Sequence, residues 1–251
     1  MLKTALRPSP ITPSVDFDAR GVQHGHLRLP YSRDDSAWGS VMIPICVIAN
    51  GEGPTALLTG ANHGDEYEGP AALFELAQTL DPAEVKGRII IVPALNYPAF
   101  RAGTRTSPID RGNLNRSFPG RPDGTVTEKI ADYVTRHLIP LADIVLDFHS
   151  GGRTLDFLPY AAAHELPDKT QESRCFDAVA AFAAPYSMKM LDRYRPQGHH
   201  QSAATCRHIG RFARCRAKPL AGYALQRLLH LCRRRRSRRL CPRSGRRGHG
   251  W

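Results

Sequence analysis

Between residues 21 and 191 the spacing of hydrophobic positions changes repeatedly, and each change marks an element. Gly21 to Leu29 alternates in part, as an edge strand does. Ser40 to Ala49 is a longer extended run; Pro44 within it marks a sheet edge or bulge, because proline cannot donate to a ladder. Asn50 to Pro54 is a turn by its glycines and proline, and Thr55 to Thr59 is the next strand. From Gly69 to Leu80, apolar residues at 73, 74, 76, 77 and 80 follow a helical period. Arg88 to Leu95 is a buried strand. Val126 to Ile139 is a helix, with Thr125 or Thr127 as its cap and Pro140 as its stop. Ala142 to Phe148 and Thr154 to Tyr160 follow as strands. Gln171 to Ala184 is a helix closed by Pro185, and Tyr186 to Leu191 starts a last strand. Strands alternating with helices predict an α/β fold on a mixed, largely parallel sheet flanked by helices.

Three stretches lack this patterning. Residues 1–20 are proline-containing and predict a loose N-terminal arm, ahead of a catalytic domain over 21–192. Asn96 to Gly124 is an unusually long loop, and such loops are commonly functional. Residues 193–251 form an irregular, Arg-rich tail.

Charge sharpens that last division. The formal net charge of +12 hides a body, residues 1–192, at −5 and a tail at +17 that contains neither aspartate nor glutamate. Hydrophobic content of 41% supports a real core. No apolar run approaches the roughly 18–20 residues of a membrane span, and the first residues have no secretory h-region. A cytoplasmic protein without membrane partners is expected. Four of the six cysteines lie in the tail and, without secretory context, do not imply disulfides.

Candidate chemistry lies at strand ends. His63 and Glu66, in Gly-Ala-Asn-His-Gly-Asp-Glu, follow the strand ending at Thr59; His149, in Asp-Phe-His-Ser-Gly-Gly, follows the strand ending at Phe148. In open α/β sheets ligands bind beyond the carboxyl ends of strands. Two histidines and one glutamate suit a single catalytic zinc ion with a position left open. The long loop supplies arginines, whose forked guanidinium binds carboxylates bidentately and can stabilise a developing oxyanion. Arg105 is the first candidate for the oxyanion and Arg111 the second, while Asn115 and Arg116 would fix a substrate carboxylate. Asp147 precedes His149 by two residues and shares its strand face, so it is either a partner of that imidazole or a plain structural acid. His24, His26, His137 and His164 are expected to be surface or packing residues, and Ser150 has no evident base to make it a nucleophile.

His63-x-x-Glu66, Asn115-Arg116 in Asn-Leu-Asn-Arg-Ser-Phe, and His149 in Asp-Phe-His-Ser-Gly-Gly together resemble the succinylglutamate desuccinylase and aspartoacylase family, a branch of the zinc carboxypeptidase superfamily. Gly-Thr-Arg-Thr-Ser-Pro-Ile-Asp at 103–110 is most similar to its N-acetyl-diaminobutyrate deacetylases, which act in ectoine breakdown. The resemblance covers about residues 20 to 192. It implies a three-layer carboxypeptidase-like fold and one zinc ion on His63, Glu66 and His149. It also implies hydrolysis of an acyl group, acetyl in the first instance, from a small N-acyl amino acid. Arg105 would be catalytic, and Asn115 and Arg116 would bind substrate. A homo-oligomer is compatible with it.

The family's general base, a glutamate downstream of the third ligand, has no counterpart in residues 193–251. The tail's Arg, Pro, Gly, His, Cys and Ala are the mix that G/C-rich codons give in a shifted frame. A frame slip near Asp192 to Pro196, a truncated domain and little activity are therefore expected. The alternative is a non-catalytic metal-binding domain whose Arg-rich tail binds nucleic acid or another acidic partner; nucleic acid is the less expected partner.

Overall fold

The computed structural model describes residues 7–191; the expected break at residue 192 and the basic tail lie outside the described residues. A six-stranded sheet runs in the order β1 (Thr12–Pro13), β2 (Gly21–Pro30), β3 (Ser40–Asn50), β5 (Gly87–Val92), β4 (Thr55–Gly60), β6 (Ile144–Phe148). β1 with β2, β2 with β3 and β3 with β5 pair antiparallel, whereas β4 is parallel to both β5 and β6. Parallel pairing in this sheet is thus concentrated where the candidate site lies.

Alternation along the strands separates two buried layers. Leu57 and Ile90 face one side, with Ile130, Val134 and Leu138 of the chain around α3 (Val126–Tyr133). Leu58, Ile89 and Ile91 face the other, against Leu73, Leu76 and Ala77 of α1 (Glu68–Thr79). One helical layer on each face of the sheet gives the expected three layers, because successive strand side chains point to opposite faces.

Several boundaries differ from expectation for identifiable reasons. The N-terminal arm is not loose throughout: β1 pairs with β2, and Ile11 and Val15 are buried in the core. The long loop is partly helical, holding α2 (Tyr97–Ala102) and a short 3-10 turn at Leu114–Arg116. The helix expected to end at Ile139 changes character after α3, passing through a π-helical turn at Val134–Leu138 and a 3-10 turn at Ile139–Leu141. Thr125 is its cap: its hydroxyl accepts from the Glu128 amide while the Glu128 carboxylate accepts from the Thr125 amide. No strand forms at 154–159. β7 (Tyr160–His164) begins where that run was expected to end, and pairs in parallel with β8 (Tyr186–Met190). Ala161 to Ala163 carry too little hydrophobic contrast to announce a strand; pairing with β8 makes it one. The connecting α4 (Lys169–Phe182) places Phe182 against Phe148, with ring centroids 6.1 Å apart.

Asp110 anchors the long loop to the start of α3. Its carboxylate accepts from the Thr127 amide and hydroxyl, both at 2.7 Å, and from the Gly112 amide at 3.0 Å. Burial pushes this carboxyl up, but the hydrogen bonds from Thr127 and Gly112 outweigh it and hold it below its usual value. Its contribution is therefore fully present above the unfolded value, about 3.9, and lost as pH falls through the lower folded value. Asp110→Ala should destabilise the chain by about 1–3 kcal/mol, the cost of leaving a buried donor such as the Thr127 amide unpaired. In urea titrations at neutral and acidic pH, the gap between variant and wild type should narrow on acidification. No helix among the described residues is long and apolar enough to cross a membrane.

Candidate functional site

Because β4 and β6 are parallel neighbours, with Gly60 opposite Phe148, the chain leaves both strands at the same end. Residues 61–67 lead from β4 into α1, and His149 follows β6 directly. Two glycines allow the close approach that the site requires. A Cβ on Gly69, in the first turn of α1, would lie 2.6 Å from Phe148 Cβ; a Cβ on Gly64 would lie 2.0 Å from the Ala99 carbonyl carbon of α2. The Glu66 amide bonds the His63 carbonyl at 3.3 Å, a tight turn that brings the two side chains to one side.

Glu66 is the hub. Its Oε1 lies 2.8 Å from His63 Nδ1 and its Oε2 lies 2.9 Å from His149 Nδ1, while the Ser150 amide donates to Oε2 at 3.0 Å. His63 and Glu66 are almost wholly buried, whereas His149 sits at the open side. Burial pushes the Glu66 carboxyl up, but hydrogen bonds from His149, His63 and the Ser150 amide bring it down to about 2. Burial pushes His149 down, yet the carboxylates of Asp147 and Glu66 raise it to about 10. Both shifts have one cause: carboxylate oxygens face imidazole nitrogens at contact distance, and each charged form stabilises the other.

The donor set fits a metal ion. One ligand atom each from His63, Glu66 and His149 lie within 4.8 Å of one another, and a cation there would meet two imidazole nitrogens and a carboxylate. Nearby, Asn62 Oδ1, Asp65 Oδ1 and Ser150 Oγ are buried without a hydrogen-bond partner among the described residues. Unsatisfied polar atoms of this kind are uncommon in a packed core and frequent where a protein binds ligands.

The structure brings some of the expected loop residues to this point. Arg105 Nη1 lies 3.4 Å from Glu66 Oε1, and its side chain is 57% exposed, reaching the cluster from the solvent side. Arg111, with a backbone φ of 56°, makes no such contact. Asn115 and Arg116 belong to the 3-10 turn whose preceding residue, Asn113, has its Oδ1 3.2 Å from His63 Nε2. That turn therefore adjoins the cluster, although the Arg116 guanidinium points back to the Asn115 carbonyl, at 3.4 Å. Asn113, Asn62 and Thr59 went unnoticed in the sequence. Asn62, immediately before His63, and Asn113, two before Asn115, were the available signals. Glu165 and Glu172, downstream of His149, pair with Lys169 and Lys189 between β7, α4 and β8.

Residues 52–213 match the family described as the succinylglutamate desuccinylase/aspartoacylase catalytic domain. The chain is 63% identical over 186 residues to the N-alpha-acetyl-L-2,4-diaminobutyric acid deacetylase of Halomonas elongata. That match takes in 74% of this chain and spans only 54% of the length of the curated relative. Among solved structures, a succinylglutamate desuccinylase from Silicibacter sp. TM1040 is 56% identical with a TM-score of 0.78, covering 90% of this chain and 71% of its own. The product-bound ectoine utilization protein EutE (DoeB) from Ruegeria pomeroyi is likewise 56% identical with a TM-score of 0.78, covering 89% of this chain and 71% of that one.

Proposed function

Because the chain belongs to the succinylglutamate desuccinylase/aspartoacylase family, we propose that it is a zinc-dependent hydrolase of N-acyl amino acids, with N-acetyl-L-2,4-diaminobutyrate as the first substrate to test. The observation that carries this is the position of Glu66, one oxygen 2.8 Å from His63 Nδ1 and the other 2.9 Å from His149 Nδ1. The deacetylase from Halomonas elongata supports the choice of substrate.

His63, Glu66 and His149 would hold one zinc ion. When bound, zinc supplies Lewis acidity toward the acyl carbonyl and the attacking water. Arg105, beside Glu66 and open to solvent, is placed to donate to a developing oxyanion. Asn115 and Arg116 would orient the substrate's carboxylate from the neighbouring turn. Proton transfer is the weak step. Glu165 and Glu172 are held by lysines, and Asp147 accepts from three neighbours, so none is free to shuttle a proton to the leaving amine.

Zinc-loaded protein should accordingly release acetate from N-acetyl-L-2,4-diaminobutyrate slowly, short by about the 10²–10⁴-fold that general acid–base catalysis contributes. Arg105→Ala should reduce kcat/KM by a further factor of about 10²–10³, as loss of an oxyanion donor does. Metal analysis and acetate release measure both. A chain that takes up no zinc at one ion per chain contradicts the reading, and unaltered turnover in Arg105→Ala removes that arginine from it.

A further inference from the structure

N-Acetyl-L-2,4-diaminobutyrate, acetylated on its α-nitrogen, carries three polar groups, and the site as described answers two of them. The acyl carbonyl faces Arg105 and the metal position, and the carboxylate faces Asn115 and Arg116. The third group is a free side-chain amine, which is an ammonium ion at neutral pH because primary alkylamines titrate at about 10. Taking that charge out of water is costly unless an anion meets it.

The carboxylates beside the candidate ligands are already committed, with one exception. Glu66 faces His63 and His149. Asp147 accepts from the Thr59 hydroxyl at 2.7 Å and the Asn62 amide at 3.0 Å, and lies 2.8 Å from His149 Nε2. Asp65 is the exception: its Oδ1 is enclosed yet has no hydrogen-bond partner among the described residues. In the chain it stands between His63 and Glu66, and in space its carboxylate lies against Gly152, three residues beyond His149. A Cβ on Gly152 would lie 2.6 Å from Asp65 Oδ2 and 3.4 Å from Oδ1. Gly152 has a φ of 59°, which glycine adopts freely, and its missing side chain leaves the carboxylate its place.

The Asp65 carboxylate is therefore lodged between the two segments that carry all three candidate ligands. As a residue Asp65 is only half-buried, so its charge is not sealed inside the fold. Ser150 Oγ, on the same segment as Gly152, is also buried and unpartnered among the described residues. Unclaimed oxygens on two neighbouring segments suit a ligand that brings donors, and an ammonium brings three N–H groups and no acceptor.

We propose, on the reading of the chain as a hydrolase of N-acyl amino acids, that the Asp65 carboxylate receives the side-chain ammonium of the substrate and so selects cationic N-acyl amino acids over neutral ones. Asp65 is then a binding residue. It touches a group other than the scissile amide and takes no part in proton transfer.

N-Acetyl-L-norvaline is the matched control, because it has a methyl group where N-acetyl-L-2,4-diaminobutyrate has its ammonium. Zinc-loaded wild-type protein, titrated calorimetrically with each compound, should bind the ammonium compound about 10–100-fold more tightly, as a hydrogen bond to a charged group contributes. Asp65→Asn keeps the shape and removes the charge. At wild-type zinc content it should weaken binding of the ammonium compound by about the same factor, leave the norvaline compound unchanged, and so abolish the preference. Equal weakening of both compounds would make Asp65 a support of the ligand loop and overturn the assignment, as would a wild-type protein that binds the two alike. If Asp65→Asn does not fold, Asp65→Ala takes its place with the same expected loss of preference. A wild-type protein that binds zinc but neither compound overturns the N-acyl amino acid reading itself, and the ammonium subsite falls with it.

Discussion

Glu66→Gln should abolish the response of the chain to zinc. Among the described residues Glu66 supplies the only carboxylate that faces both histidines, and the Ser150 amide and Arg105 guanidinium are also turned toward it. Glutamine removes the negative charge and replaces one oxygen with a donor, so one Nδ1 loses its acceptor partner and a cation meets an NH2 group. Affinity should fall by more than about 100-fold, beyond the range seen when only an outer partner of a ligand is lost. The effect can be read without turnover. Zinc at about a thousand times its Kd should stabilise the wild-type protein by about 4 kcal/mol through mass action, and Glu66→Gln should show no such gain at the same concentration. Thermal melts with and without zinc decide the matter, and an undiminished shift in the variant would mean that the metal sits elsewhere.

Gly64→Ala should damage both stability and the site. A Cβ there would lie 2.0 Å from the Ala99 carbonyl carbon and 2.2 Å from its oxygen. These are backbone atoms of α2, so no rotamer change relieves the clash; either the segment from Ala61 to Tyr67 or α2 must move. Overpacking of side chains commonly costs about 1–3 kcal/mol, and a contact between backbones belongs at or above the top of that range. Because His63 precedes Gly64 and Glu66 follows it, the displacement also separates the ligands, and zinc affinity should fall together with the urea midpoint. A variant with wild-type stability would show that the two segments are not packed as described.

Much of this architecture was legible in the order of residues. Apolar spacing located β2, β3, β4, α1, β5, α3, β6, α4 and β8, because each buries a face whose period is its own. The strand-end positions of His63, Glu66 and His149 were equally plain, and the structure brings their ligand atoms within 4.8 Å of one another. Less visible was anything that depends on a partner far away in the chain. β7 is a strand through its pairing with β8, not through its alanines. Asp110 looked like one polar loop residue among many, yet it ties the loop to α3 across 17 positions. Asn113 was overlooked beside the more conspicuous Asn115 and Arg116.

The sequence by itself determined which side chains could bind a cation, and that both candidate ligand segments begin where strands end. Tertiary structure alone decided which atoms meet. Pairing of β4 with β6 sets Thr59 opposite Asp147, the absence of side chains at Gly64 and Gly69 lets α2 and β6 close on the ligand loop, and His149 ends between the carboxylates of Asp147 and Glu66. Spacing along a chain records local geometry, whereas contacts between residues about 85 positions apart depend on sheet register and close packing, which no local pattern encodes.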